Sequence, residues 1–396
     1  MRRTSVRILA TAAVCGLLAA GAAWSPAVPA PRVRPAAPAP APADGCATAP
    51  APPGGPFYES NPAYLDRRDD SADWRRATPA AQGMAAARLH RAAAHLRARP
   101  GMRSLIVLRR GRLVYERYFH GAGPRHSANV HSASKSMLGA LLGIAIHRGH
   151  LPGPGAPVAD YLPGYLPAGS PKRRITVGDL VTMSSGLAWT EDVTEHRVAR
   201  TADWVRAILG QPYRPGRRFT YSTGNTHVLS AVLRRATGMS TCAFARRYLF
   251  RPLRITAERW ARDPQGVHAG GFNLYLTPRE LAKFGQLYLD GGRWAGRQVV
   301  PAATVARSRV PVHRRVAGAP GFGYGAGWWL TRVGGHPMAV AWGWGGQYVC
   351  VLPTLRLVVG TTQQTRAAAA AVEARELDVA GFVRRYVLPA IASSES

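Results

Sequence analysis

Residues 131–149 read HSASKSMLGALLGIAIHRG. From Leu138 the run LGALLGIAI is apolar on nearly every face, the pattern of a helix buried inside a core rather than lying on a surface. The polar residues are confined to its first turn, where Ser132, Ser134 and Ser136 surround a single Lys135. Two readings of that turn are open. In one, the serines cap the helix and the lysine reaches solvent along its apolar stem. In the other, Ser132 is a nucleophile and Lys135, one turn further on the same face, takes its proton.

The rest of the composition bears on that choice. Of 52 basic residues only Lys135, Lys172 and Lys283 are lysines, leaving 49 arginines. A lysine in such a chain stands where arginine would not serve, and burial can lower a lysine's pKa until it acts as a base, which arginine cannot do. The net charge of +31 raises the question of nucleic acid. The arginines are scattered and mixed with acids, as in DRRDDSADWRR, without a basic block or a nucleic-acid motif, so no specific nucleic acid is expected. Charge alone supports only an electrostatic association with an anionic cell-wall polymer.

The N-terminus carries Arg2, Arg3 and Arg7, then an uncharged Ala-rich run from Ile8 to Trp24 with small residues around it. That pattern predicts an export signal over residues 1–25, with an uncleaved membrane anchor as the competitor, and hence a secreted or cell-envelope protein. Residues 26–56 are dominated by Pro and Ala and predict a solvated tether, so the folded part is expected from Phe57 to the C-terminus. The four cysteines, Cys15, Cys46, Cys242 and Cys350, have no metal-ligand spacing, and neither metal nor cofactor is expected. Cys242 and Cys350 read as two separate buried thiols, with a disulfide between them as the alternative.

Further along, Ala80–Arg97 predicts a helix, and SLIVLRRGRLVYERYF predicts a hairpin turning at Arg110-Gly111-Arg112. Residues 150–265 mix Pro/Gly-rich loops with short helices such as ADWVRAILG and HVLSAVLRRATG, the latter stopping at Gly238. TPRELAKFGQLYLDGG is a helix with Thr277 as N-cap, Pro278 at the first position and Glu280 placed for a capping box. FGYGAGWWLTR, GGQYVCVLP and LRLVVGTTQ read as strands, and a helix is expected from Ala369 to Ile391. The order is that of an α+β fold, one antiparallel sheet gathering strands from both ends of the chain, flanked by helices, around a mainly helical insert.

If Ser132 is a nucleophile, the site needs a second proton-handling group and oxyanion donors. No G-x-S-x-G elbow is present, so an α/β-hydrolase has no anchor. The chain instead supplies RRFTYSTGNTHVLSAVLRRATG in the insert, ITVGDLVTMSSGL before it, and AWGWGGQYVCVLP leading into a late strand. With these motifs in order after S-x-x-K, the sequence resembles the serine β-lactamase and penicillin-binding superfamily. The nearest part of it is the class C-like branch of family VIII esterases, D-amino-acid peptidases and 6-aminohexanoate-dimer hydrolases. GGFNLYLTPRELAKFGQLYLDGGRW tilts the likeness towards the last of these.

The resemblance implies a β-lactamase/transpeptidase-like fold and assigns roles. Ser132 matches the acylated serine, Lys135 the lysine of S-x-x-K, and Tyr221 the tyrosine of Y-x-N. Trp344-Gly345-Gly346 falls where β-lactamases carry K-T-G, and the backbone N–H groups of Ser132 and Gln347 would form the oxyanion hole. A cationic Lys135 beside Tyr221 would lower the phenol's pKa, giving a shared base. Two departures stand out. Thr223 replaces the asparagine of Y-x-N, with Asn225 close by in sequence, and Trp344 replaces the cation that meets a penicillin carboxylate. The implied function is therefore an exported serine hydrolase cleaving a carboxylic ester or linear amide through an acyl-enzyme on Ser132, with a short peptide-like molecule also within its substrate range. The alternatives are a D-Ala-D-Ala carboxypeptidase or β-lactamase, and a catalytically silent protein that binds wall fragments. His131, His227 and the Met183–Gly186 turn are read as structural.

Overall fold

The hairpin after the first helix opens the main sheet. The computed structural model describes residues 64–65, 68–216, 218–365, 371–372 and 376–391, and the export signal and tether expected before Phe57 lie outside them. Strands β2 (Met102–Arg109) and β3 (Arg112–Tyr118) pair antiparallel across a turn in which Arg110 and Gly111 both take positive φ, 49° and 75°. Two such residues match the right-handed twist of the strands. The sheet is completed by β9 (Gly323–Tyr324), β10 (Trp329–Val333), β11 (His336–Gly343), β12 (Gln347–Leu352) and β13 (Leu357–Gln363). Its order is β3-β2-β13-β12-β11-β10-β9, every pair antiparallel. Strands from the two ends of the sequence thus meet where β2 pairs with β13. A smaller sheet, β1 (Tyr64–Leu65), β4 (His126–Asn129), β6 (Leu274–Leu276) and β5 (Arg259–Trp260), forms beside it, and a ribbon of β7 (Arg293–Trp294) and β8 (Arg297–Gln298) follows.

The alternation of β2 divides the core in two. Ile106 and Leu108 face the larger cluster, with Val349, Val351 and Val358 of the neighbouring strands and the helices α2 (Ser134–His147), α3 (Thr223–Thr237) and α4 (Pro278–Leu289). Leu105 and Val107 face the other, with Tyr348, Cys350 and Val359, covered by α1 (Ala86–Arg97) and the C-terminal helical segment Val379–Ala390. Side chains of alternate strand residues point to opposite faces, so one valine- and leucine-rich strand serves both. α4 begins as its sequence dictates: Thr277 accepts from the Glu280 backbone and Glu280 returns the bond to Thr277 N.

Several elements differ from the sequence expectation. The helix expected from Ala80 starts at Ala86, because Gly83 turns left-handed (φ 66°) and Met84 bridges to Ile391. Strand β11 was missed because Pro337, Ala339 and Ala341 dilute its β-branched character. The last helix is interrupted in its described part: residues 371–372 are helical, 376–378 are not, and a short α turn, Val379–Phe382, is followed by a π turn and a 3-10 turn. Cys350 is a free buried thiol, whereas Cys242 is disulfide-bonded, so the two are neither joined nor both free. Among the described residues no helix is long and apolar enough to cross a membrane.

Candidate active site

α2 is buried from Ser134 to Ala145, as its all-round apolar sequence requires. It is preceded by a 3-10 turn, His131–Ala133, and no side chain caps it. The serines of the first turn do something other than capping. Ser134 Oγ donates to the His131 carbonyl (2.7 Å) and Ser136 Oγ to that of Gly327 (2.6 Å). Nor does Lys135 reach solvent: it is 1% exposed. Its Nζ lies 2.7 Å from Ser132 Oγ, 2.9 Å from Thr223 Oγ1 and 3.2 Å from the Gly271 carbonyl. The solvent-reaching reading of this lysine is thereby excluded.

Three segments distant in sequence build that pocket. Thr223 is the first residue of α3, delivered by Ser222, whose side chain caps the helix by accepting from Asn225 N. Gly271 comes from the loop before β6. Its φ is 96°, and a Cβ there would lie 2.5 Å from Lys135 Cγ, so only glycine lets this backbone reach the lysine. The loop is held from behind by the buried pair His227 Nε2···Asp263 Oδ2 (2.9 Å), with Gly270 N donating to His227 Nδ1 (3.4 Å). His227 is thus a structural histidine that fixes the carbonyl Lys135 uses.

The Trp344-Gly345-Gly346 turn joins β11 to β12. Gly343, which pairs with Gln347, packs so closely that a Cβ would lie 2.1 Å from the Val130 carbonyl and 3.2 Å from Ala133 N. That contact brings the start of β12 beside the turn carrying Ser132. The Gln347 side chain points away from it, donating to the Gln363 carbonyl (2.7 Å) and accepting from Gln363 N (3.2 Å). Trp344 packs edge-on against His131, centroids 5.3 Å apart. His131 Nε2 bonds Thr365 Oγ1 (3.2 Å), and burial, with the Lys135 charge added, pushes the imidazole down to about 3. It stays neutral and structural.

Tyr221 lies beside Ser132, and Lys135 Nζ sits 5.0 Å from its ring centroid. Its expected acidification does not occur. Burial holds the phenol well above its ordinary value, with Tyr324, Glu191 and Glu195 adding to that and the neighbouring Ser132 hydroxyl opposing it. Lys135 moves the other way, lowered by burial to about 8 against the pull of Glu191 and Glu195. The group able to lose its proton near neutral pH is therefore the lysine, and the tyrosine remains a hydroxyl donor. Around Tyr221 runs a set of rings: Phe219 at 6.5 Å, Tyr324 at 6.2 Å and Trp329 at 5.4 Å, with Trp342 5.3 Å from Trp329. Trp329 is half-buried and faces this cluster.

Thr223 does not leave a gap where the asparagine of Y-x-N would be. Its hydroxyl accepts from Lys135 and donates to Glu191 Oε2 (2.7 Å), and Asn225 is engaged elsewhere, accepting from Ser185 Oγ (2.7 Å). Glu191 was overlooked in the sequence. The signal available was an acid in AWTED, just after the MSSGL turn, in a chain with only 21 acidic residues.

The β-lactamase family pattern matches residues 86–381. The chain belongs to the β-lactamase family. Over 255 residues, 58% of this chain, it is 27% identical to a 6-aminohexanoate-dimer hydrolase from Paenarthrobacter ureafaciens, and it spans 64% of that protein's length. Among solved structures, its fold is similar to that of EstCE1, a hydrolase with promiscuous acyltransferase activity (TM-score 0.58, 17% identity, 73% of this chain and 97% of that one). It is similar also to a D-stereospecific amidohydrolase from Streptomyces sp. (TM-score 0.55, 18% identity, 75% and 98%). The fold agrees with that membership, an α+β arrangement with one antiparallel main sheet.

Proposed function

We propose that this protein is an exported serine hydrolase that cleaves a carboxylic ester or linear amide through an acyl-enzyme on Ser132. The observation that carries the reading is the 2.7 Å approach of a buried, pKa-lowered Lys135 to Ser132 Oγ. As Oγ attacks the carbonyl carbon, its proton passes to the Lys135 amine and the carbonyl electrons become an oxyanion between the N–H groups of Ser132 and Gln347. Collapse expels the alcohol or amine, which takes a proton from the Lys135 ammonium or through the Tyr221 hydroxyl. Water then attacks the ester carbonyl as Lys135 again receives the proton, and collapse breaks the bond to Ser132 Oγ, which takes that proton back as the carboxylic acid is released.

The substrate class is argued from the walls. Trp344 and the Phe219–Tyr221–Trp329–Trp342 cluster are aromatic and uncharged, which suits an apolar acyl or alcohol part better than the carboxylate of a penicillin. The aminohexanoate-dimer hydrolase named above adds linear amides to the range. Export is supported by the Arg-rich, then Ala-rich N-terminus and by the Cys242 disulfide, since such bonds persist in oxidising compartments.

The test is labelling with a fluorophosphonate, read by intact mass, beside hydrolysis of p-nitrophenyl butyrate, nitrocefin and a linear aminohexanoate dimer. A stoichiometric adduct absent from Ser132→Ala, with ester or amide turnover exceeding nitrocefin turnover, supports the proposal. No adduct with any acylating probe overturns it, and dominant nitrocefin turnover moves the enzyme to the β-lactamases.

A further inference from the structure

The hydrogen bonds around Lys135 have a direction, and Glu191 sets it. When Lys135 is neutral it has two N–H bonds and one lone pair. It lies within reach of three oxygens, Ser132 Oγ, Thr223 Oγ1 and the Gly271 carbonyl. For the lone pair to meet the Ser132 proton, the other two oxygens must both accept. The Gly271 carbonyl can do nothing else. The Thr223 hydroxyl could do either, and if it donated to Lys135 it would occupy the lone pair that Ser132 needs.

Glu191 removes that choice. Its Oε2 accepts the Thr223 O–H (2.7 Å), while Oε1 accepts Thr223 N–H (2.8 Å) and Trp189 Nε1–H (2.6 Å). With its proton drawn to the carboxylate, Thr223 Oγ1 is left as an acceptor. We propose that Glu191 is a positioning residue for acyl transfer: acting through the Thr223 hydroxyl, it turns the Lys135 lone pair toward Ser132 and stabilises the ammonium formed when the proton arrives. The step balances within these residues. The Oγ–H bond breaks as the Nζ–H bond forms, and the Oγ electron pair makes the new bond to the substrate carbonyl carbon. The inference rests on the function proposed above.

The charged and titratable groups around Lys135 are Glu191 and Glu195 from the insert, Tyr221 ahead of α3, Tyr324 of β9 behind it, and the neutral His131. Of these, Glu191 is joined to Lys135 through a single hydroxyl. Glu195 instead caps Asp192 N (2.8 Å).

Glu191→Gln is the informative variant because its amide must place the oxygen at the Oε1 position, where two N–H groups point. The NH2 then donates to Thr223 Oγ1, and the threonine proton is turned toward Lys135. The experiment measures kcat/KM of the full chain for p-nitrophenyl butyrate from pH 6 to 10, with a melt to establish folding. Glu191→Gln should lower the plateau by about tenfold or more and move the acidic limb to lower pH, because the ammonium loses its stabilising charge. Adding Thr223→Val to Glu191→Gln should recover about threefold or more, since the competing donor is gone, and Thr223→Ser should stay within about threefold of the parent.

An unchanged plateau and limb in Glu191→Gln overturns the inference. So does a double variant no faster than the single one, the outcome of a merely structural role. If Glu191→Gln fails to fold, Thr223→Val alone decides: an acidic limb at lower pH supports the inference, and an unmoved limb overturns it. Ester turnover surviving in Ser132→Ala would instead overturn the underlying function.

Discussion

Lys135 and Lys283 are both buried, 1% and 0% exposed, yet their surroundings are opposite in kind. Lys135 meets two hydroxyls and a carbonyl, and the nearest carboxylate reaches it only through Thr223. Lys283, on α4, sits against two carboxylates, 2.7 Å from Asp73 and 3.5 Å from Asp70. Those acids also hold Arg68, Arg254 and Arg279, and Arg279 continues to Glu116 on β3. One ammonium is thus matched by full negative charge and ties the residues before α1 to α4 and the sheet. The other is buried with less than it needs. A buried cation denied a direct counterion gives up its proton readily, and that is the property a base requires. The same residue type makes a girder in one place and a proposed reactive group in the other, and the partners decide which.

The largest effect should come from removing Lys135, the proposed base. Lys135→Met keeps the stem and deletes the amine, and kcat/KM for an activated ester is expected to fall by roughly 10³-fold or more, the span of a lost general base. Stopped-flow acylation checks it, and a loss below tenfold would break the contrast by putting the base elsewhere. In the parent enzyme the same measurement should rise with pH through about 8, where Lys135 becomes neutral. A profile already flat above pH 6 would mean that the lysine is not the titrating group.

The second variant attacks the girder. Lys283→Met leaves Asp70 and Asp73 buried with fewer cations, and unfolding free energy should drop by about 3–5 kcal/mol, the cost of breaking one side of a buried pair. Acylation per folded molecule should be unchanged, because no residue of the candidate site touches Lys283. Chemical denaturation read beside active-site titration separates the two quantities. An equal loss of specific activity would show that the α4 network supports the site as well as the fold.

Both lysines stood out in the sequence for the same reason, their rarity among arginines, and the sequence alone did not tell them apart. What it did carry was local. The Ser132–Lys135 spacing, the all-round apolar α2, the capped α4 and the β-branched runs of β12 and β13 are each readable within one element, since periodicity and capping act over a few residues. What it did not carry spans long separations. Thr223 is 88 positions from Lys135 and Gly271 is 136, and nothing in either segment announces the meeting. The acidification expected for Tyr221 failed for a related reason, because proximity to a cation was legible whereas the depth of burial around the phenol was not. Thr223 looked like a lost amide until Glu191, from a loop of no regular pattern, supplied its partner.

The smallest effect tests whether the Lys135 site is strained for stability as the comparison implies. A lysine whose folded-state pKa lies near 8, below its unfolded value near 10.4, binds fewer protons folded than unfolded across that interval. The penalty for holding its charge is fully present below about pH 8 and fades as pH rises towards the unfolded value. Lys135→Met removes that penalty, so at pH 7 the variant should be more stable than the parent by on the order of 1–3 kcal/mol, less what it loses in hydrogen bonds to Thr223 and Gly271. By pH 10 the advantage should have shrunk, because the parent lysine is then neutral in the folded state and about three-tenths neutral when unfolded. Denaturation midpoints at the two pH values give the sign. If the variant is instead less stable at pH 7, and more so than at pH 10, then Lys135 is a satisfied ion like Lys283, and the distinction between the two lysines collapses.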